Sequence, residues 1–253
     1  MRASWHAPRK RFGQHFLHDR GVVARIIDAV DPGPQDHVVE IGPGEGALTR
    51  ALRARAGRFE AIEIDRDLAA ALRAEGVEVH AVDALAFDFA ALPPGTRIVG
   101  NLPYNISTPI LFRLAEHAAH LRDVHCMLQL EVVQRMVAPP STPDYGRLSV
   151  MLQARFRMQM LFRVAAGAFR PAPKVESAVV RMAPLAEPLD RDAPGFADLV
   201  RTAFSARRKT LRNALGMSAA DLAALGVDPG LRPENLAPQD YARIARRTIS
   251  HRG

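Results

Sequence analysis

His37-Val38-Val39-Glu40-Ile41 runs directly into Gly42-Pro43-Gly44-Glu45-Gly46, and Ala47 to Ala56 behind it reads as a helix. A short apolar strand, a turn with glycine at alternate positions and then a helix make a βα unit of an open parallel sheet. Such a turn lets backbone approach a ligand at the strand's carboxyl end. The third glycine comes one residue early for the GxGxxG dinucleotide fingerprint, and no Lys or Arg stands in the turn to meet a pyrophosphate. The alternation continues on either side. Val22 to Val30 places Val22, Val23, Ile26, Ile27 and Val30 on one helical face and stops at Asp31-Pro32-Gly33. Arg11 to His18, ahead of it, shows no helical or strand period.

Downstream, Phe59 to Ile64 reads as a second strand closed by Asp65, with a helix over Asp67 to Glu75, and Val77 to Val82 as a third closed by Asp83. Arg97 to Gly100 is the fourth, followed by a helix over Ser107 to His117, and Val124 to Leu130 is the fifth. Leu148 to Phe156 reads helical, and two late strands, Met158 to Val164 and Ala178 to Met182, flank the loop Phe169 to Lys174. Strands alternating with helices of this length predict an α/β, doubly wound sheet whose last pair is hairpin-like. Three prolines and alternating charge between Pro184 and Pro194 mark a linker, after which only helical periodicity remains. The expected division is a sheet domain over 1–187 and a small all-helical domain over 188–253.

Polar groups recur at the ends of successive strands. Glu63 can accept both hydroxyls of a ribose, and Asp83 can accept from an adenine amine. Carboxylates at strand ends also cap helices, but the glycine turn, Glu63, Asp83 and Asn101 converge on the crevice where such sheets bind ligands. A nucleoside cofactor is therefore expected, and S-adenosylmethionine fits better than NAD.

The fourth strand runs into Asn101-Leu102-Pro103-Tyr104. The exocyclic amine of adenine is a poor nucleophile because its lone pair is delocalised into the ring. An amide oxygen from Asn101 and a nearby backbone carbonyl can each accept one amine hydrogen, holding the nitrogen closer to tetrahedral. Pro103 stiffens the turn, and Tyr104 offers a flat face for an extruded base.

Composition points the same way. At 253 residues with 48% hydrophobic and 24% charged content, the chain buries its own core without disulfides. The single cysteine, Cys126, sits in an apolar run and reads as a small hydrophobe in a reducing compartment. No run of about 18 apolar residues exists, so a cytoplasmic protein without a membrane partner is expected. A net charge of +7 calls for a polyanion. Basic residues cluster at Arg9-Lys10-Arg11, from Arg155 to Arg181, from Arg201 to Arg212, and at Arg243, Arg246, Arg247 and Arg252. One helix over Phe196 to Leu215 is expected to present Arg201, Ser205, Arg208 and Arg212 on one face with Arg207 and Lys209 beside it. Arg207, Arg208, Lys209 and Arg212 are the predicted RNA contacts. His6, His15 and His18 lack the cysteine or paired carboxylate that would complete a metal set, so no metal is expected.

Phe12-Gly13-Gln14-His15-Phe16-Leu17, Glu40 to Gly46, Asn101 to Pro109 and Phe169-x-Pro171-x-Pro173-Lys174-Val175-x-Ser177 resemble the ribosomal RNA adenine N6-dimethyltransferase family, above all its small-subunit (16S) branch, linked to kasugamycin resistance. The likeness runs through nearly the whole chain in the family's order. It implies a Rossmann-like, S-adenosylmethionine-dependent methyltransferase sheet with a helical, rRNA-binding C-terminal domain. It also implies that His15 and Leu17 touch the cofactor, that Gly42 and Gly44 pass its methionine part, and that Glu63 holds its ribose and Asp83 its adenine. Asn101 would meet cofactor and target amine, with Tyr104 and Phe169 sandwiching the base. The family often has asparagine in place of His15, so the backbone contact is the part that carries over. The implied substrate is two adjacent adenosines in a hairpin near the 3′ end of small-subunit rRNA in an assembling 30S particle, approached by a monomer. Two other readings stand beside it: a large-subunit methylase of the macrolide-resistance type, disfavoured by Leu102 and by Arg207-Arg208-Lys209, and a non-catalytic nucleic-acid-binding protein, disfavoured by intact Gly42, Glu63, Asp83 and Asn101.

Overall fold

The computed structural model describes residues 14–249. The expectations placed on His6, on Arg9 to Gly13 and on Arg252 lie outside the described residues. The chain runs through β1 (Phe16–Leu17), α1 (Arg20–Val30), β2 (His37–Ile41), α2 (Thr49–Arg53), β3 (Arg58–Ile62), α3 (Arg66–Ala74) and β4 (Glu78–His80). It continues through β5 (Thr96–Asn101), α4 (Ser107–Glu116), β6 (Leu121–Gln129), α5 (Leu130–Val137), α6 (Arg147–Gln153), β7 (Phe156–Val164), β8 (Phe169–Arg170) and β9 (Ser177–Pro184). The helices α7 (Phe196–Ser205), α8 (Leu211–Leu215), α9 (Ala219–Ala224) and α10 (Pro238–Ile249) follow.

Seven strands form one sheet in the order β4-β3-β2-β5-β6-β9-β7. Pairs from β4 through to β6 are parallel, and β9 lies antiparallel to β6 with Val180 opposite Cys126. Val38, Val39, Ile98, Val99, Val124 and Leu128 are all fully buried, as befits parallel strands covered on both faces. Cys126 is buried too, and burial pushes its thiol up to about 12, so it packs as a hydrophobe. The chain winds outward from β2 to β4, then returns to the other side of β2 as β5. That reversal leaves a crevice at the carboxyl ends of β2 and β5. Ile41 pairs with Gly100 there, and a Cβ on Gly100 would stand 2.6 Å from the Ile41 carbonyl oxygen, so only glycine fits.

Opposite the crevice, at the start of β5, Arg97 is only 4% exposed yet uses all five of its N–H donors. They go to both Asp123 oxygens (3.0 and 2.9 Å), Asp36 Oδ2 (2.9 Å) and the carbonyls of Asp31 (3.1 Å) and Val30 (2.5 Å). Arg122 also binds Asp36.

The described chain divides into two compact units. One takes residues up to 133 together with 159–183, and the other takes 134–158 together with 184 onward. The division therefore differs from the expected one at 187/188. Tyr145, Val150 and Ala154 share a core with Phe196, Val200, Leu211, Leu222, Tyr241 and Ile244, so the segment around α6 packs with the late helices. The expected helix over 196–215 is also corrected. It stops at Ser205, turns through 206–209 and restarts as α8, whose Leu211 is buried and donates its N–H to the Leu231 carbonyl (2.6 Å). In the same way α2 covers 49–53 rather than 47–56, since the glycine turn extends through Leu48. The aperiodic stretch before α1 contributes β1, which pairs antiparallel with β8 (Phe16 opposite Arg170, Leu17 opposite Phe169).

Candidate active site

A cavity of about 310 Å³ opens at the carboxyl ends of β2, β3, β4 and β5. His15, Leu17, Gly42, Gly44, Glu63, Asp83, Asn101 and Tyr104 all line it, so eight of the predicted site residues meet in one place.

Each is held by local chemistry. Gly42, Gly44 and Gly46 all take positive φ (68°, 57° and 80°), which lets the turn after β2 fold back on itself. Gly44 has a second constraint: a Cβ there would lie 3.0 Å from the Phe16 ring, so β1 packs directly over the turn. Glu63, 5% exposed, accepts from the N–H groups of Gly44 (3.2 Å) and Asp65 (2.9 Å), which fixes its carboxylate at the cavity wall. Burial pushes that carboxyl up, while the two N–H donors oppose the rise. Asp65, wholly buried, caps α3 by accepting from Asp67 N–H (3.1 Å) and takes a hydrogen bond from Gln14 (3.3 Å). Asp83 accepts from Leu85 N–H at 2.9 Å. Ile64, 42% exposed, adds an apolar surface to the wall between Glu63 and Asp83.

At the other side of the cavity, the Asn101 amide donates through Nδ2 to the His15 carbonyl (3.0 Å). Its Oδ1 has no partner among the described residues. His15 Nδ1 donates to the Pro171 carbonyl (2.7 Å), since a carbonyl can only accept, and the His15 ring stacks on Tyr104 (5.5 Å between centroids, 25° between planes). The Tyr104 hydroxyl and Ser177 Oγ share a hydrogen bond of 2.6 Å.

Phe169 stands apart from the expectation. It is 3% exposed, sits in the core with Leu17, Ile27 and Val164, and does not line the cavity. The ring facing Tyr104 is that of His15, because the pairing of β1 with β8 turns Phe169 inward and brings His15 over. The predicted Tyr104–Phe169 sandwich is therefore corrected.

Arg207, Arg208, Lys209 and Arg212 lie in the other unit. Arg207 is engaged, donating to Glu234 (3.2 Å) and the Pro143 carbonyl (3.0 Å), and Arg201 pairs with Asp198 (2.8 Å). The basic run is thus partly neutralised by acids outside it in sequence. Arg208, Lys209 and Arg212 are exposed and have no ion pair among the described residues. Glu60, Glu78 and His80 form the one cluster with metal-ligand spacing among the described residues, and Arg58 stands 2.6 Å from Glu60 there. No described helix is long and apolar enough to cross a membrane.

Sequence reasoning passed over Glu40. It is 1% exposed, lines the cavity and accepts from the Thr49 hydroxyl at 2.6 Å. A lone acid inside an apolar strand was the available signal; its partner nine residues on was not.

The wall carries Glu40, Glu45, Glu63 and Asp83 and neither Lys nor Arg. Such a cavity suits a ligand with a nucleoside part and positive charge, and it repels a pyrophosphate. S-adenosylmethionine, with its sulfonium and ammonium groups, matches that donor set.

Comparison with known proteins agrees. The model of a family described as ribosomal RNA adenine dimethylase matches residues 5–249. A Chromobacterium violaceum protein named ribosomal RNA small subunit methyltransferase A is 56% identical over 251 residues, 96% of each chain. Its namesake from Nitrosomonas europaea is 52% identical over 254 residues, 98% of this chain and 99% of its own. Among solved structures, a dimethyladenosine transferase from Plasmodium falciparum aligns with a TM-score of 0.84 at 24% identity, covering 93% of this chain and 98% of its own. The 23S rRNA methyltransferase ErmE aligns at 0.71 and 30% identity, covering 92% and 98%.

Proposed function

Because this chain belongs to the ribosomal RNA adenine dimethylase family, we propose that it transfers methyl groups from S-adenosylmethionine to adenine N6 in small-subunit rRNA. The target would be two adjacent adenosines in a hairpin near the 3′ end, each methylated twice, in an assembling 30S particle in the cytoplasm, with the enzyme acting as a monomer. The choice of subunit is supported by identity: 52–56% to proteins named for the small subunit against 30% to the 23S enzyme.

The observation that carries the chemistry is Asn101. Its amide nitrogen is committed to the His15 carbonyl, which leaves Oδ1 to accept one hydrogen of the target amine. The Leu102 carbonyl, which accepts nothing from the described residues, is the second acceptor in this reading. When bound, S-adenosylmethionine supplies an electrophilic methyl group. Glu63 would hold the ribose hydroxyls, Asp83 the adenine amine, and the Gly42–Gly44 backbone the methionine end. Tyr104 supplies the stacking face for the target base, with its hydroxyl anchored on Ser177. In-line displacement needs orientation above all, and the amine proton leaves to solvent after transfer.

The test is mass spectrometry of 16S rRNA from cells lacking the protein, with and without complementation. N6-dimethyladenosines lost and restored near the 3′ end are expected. Their appearance in 23S rRNA would favour the large-subunit reading, and no change in either RNA would overturn methylation.

Two variants probe the two surfaces. Glu63→Ala is expected to weaken S-adenosylmethionine binding by about 1.5–3 kcal/mol, the scale of hydrogen bonds to a charged group, with RNA binding unchanged. Calorimetric titration showing wild-type affinity would take Glu63 out of the cofactor site. In the helical unit, Arg208, Lys209 and Arg212 changed together to alanine should weaken RNA binding and flatten its salt dependence by up to about 2–3 units of log–log slope, at roughly 0.7–0.9 per lost phosphate contact. A wild-type salt slope would leave this surface as scaffold.

A further inference from the structure

We propose that the cavity takes its cationic ligand in exchange for a proton held on Glu40, which makes Glu40 the residue that reads the ligand's positive charge. The inference rests on the cofactor reading above.

Glu40 is buried at the end of β2 and reaches the cavity wall beneath the glycine turn. Its Oε2 accepts from Thr49, and its Oε1 has no hydrogen-bond partner among the described residues. It differs in this from Glu63, both of whose oxygens are taken by backbone N–H groups.

The groups around it supply no countercharge. Thr49 bonds to it from α2 and the charge of Glu63 acts on it from the end of β3, with Asp65 N–H held on Glu63 behind; Glu45, Asp83, His15 and Tyr104 are the other titratable residues lining the cavity. The nearest arginine on α2, Arg50, is turned to Glu75 (2.7 and 3.0 Å) and to the carbonyls of Glu45 and Gly46. Burial raises the Glu40 carboxyl to about 8, against the pull of the Thr49 hydroxyl, and the charge of Glu63 raises it further.

At neutral pH the group therefore carries its proton when no cation is near. A cation brought into this water-poor wall favours the charged form. The O–H bond of Glu40 breaks, the proton passes to the buffer, and the carboxylate remains opposite the ligand's charge. Nothing is oxidised or reduced. Once the sulfonium has lost its methyl group, one positive charge is gone, and Glu40 regains a proton from solvent if that was the charge it faced.

Titration of S-adenosylmethionine into the whole protein at pH 7, in two buffers of different ionisation enthalpy, counts the protons exchanged. Release of close to one proton per ligand is expected at about pH 6 and roughly 0.8 at pH 7, where a carboxyl titrating near 8 gives up about 0.9 and the ligand's own α-amino group, ordinarily near 8, takes up about 0.1; the net release falls as pH rises through 8. Glu40→Gln should bind more weakly and lose the release. Thr49→Val, which keeps the carboxyl and removes its donor, should retain the release and carry it to higher pH. S-adenosylhomocysteine separates the two charges: equal release assigns the ammonium as the group read, and reduced release assigns the sulfonium. Wild-type binding with no proton release at pH 7, or full release from Glu40→Gln, overturns the proposal. The wild-type pH series decides it even if Glu40→Gln does not fold. Absence of any S-adenosylmethionine binding would instead sink the cofactor reading on which the proposal rests.

Discussion

Asn101→Ala is expected to lower turnover on small-subunit rRNA by roughly 2–4 kcal/mol, about 30- to 10³-fold, by analogy with loss of one preorganised oxyanion-hole donor. The loss should fall on kcat, since an acceptor for the amine hydrogens matters most as the nitrogen approaches tetrahedral geometry. RNA affinity should hold. The amide also ties the end of β5 to β1 through the His15 carbonyl, so some loosening of the cavity wall is expected in the same variant. Asn101→Asp separates these effects: it retains an acceptor but cannot donate to His15. Single-turnover methylation of rRNA particles is the measurement, and Asn101→Ala running near the wild-type rate would remove this residue from the chemistry.

Arg97→Met is expected to destabilise the fold by about 3–5 kcal/mol, because removing one partner leaves buried carboxylates uncompensated. The effect has a pH signature. Burial pushes Asp123 up, but His125 and Arg97 outweigh it and bring its carboxyl down to about 2, below its ordinary value of 3.8. A carboxyl lowered in the folded state contributes stability that is present above its unfolded value and is lost as pH falls through its folded one. The wild-type protein should therefore lose about 2 kcal/mol from this group between roughly pH 4 and pH 2. Asp36 is also lowered, with burial again opposed by Gly33 N–H, Arg97 and Arg122, and adds loss in the same direction. In Arg97→Met the remaining carboxylates gain relief from protonation, so the slope should flatten or reverse. Urea unfolding across that window checks both statements. A variant parallel to wild type at every pH would show that Arg97 does not hold these acids down.

Much of the site was legible because parallel α/β sheets collect strand ends. Once His37–Gly46 is read as strand and turn, Glu63, Asp83 and Asn101 fall on the same crevice by topology alone, and the cavity gathers them. Strand periodicity and glycine turns are local properties, which is why β2 begins and ends where its residues predicted. The helical segment was less legible. Apolar spacing over 196–215 admits one helix, but the N–H of Leu211 is captured by Leu231 and Arg207 by Glu234, and these partners lie 20 or more residues away.

The sequence by itself determined the alternation of strands and helices in the sheet unit and placed the glycine turn and the Asn-Leu-Pro-Tyr turn at strand ends, since each depends on residues within one βα unit. Tertiary structure alone decided which aromatic faces Tyr104, because the short pairing of Phe16–Leu17 with Phe169–Arg170 joins segments some 150 residues apart, burying Phe169 and laying His15 over the ring. It also decided that Glu40 meets Thr49 through one oxygen and lines the cavity. A carboxyl's protonation follows from the solvent and charges it is left with, and those are set only once β2, α2 and the end of β3 have packed together.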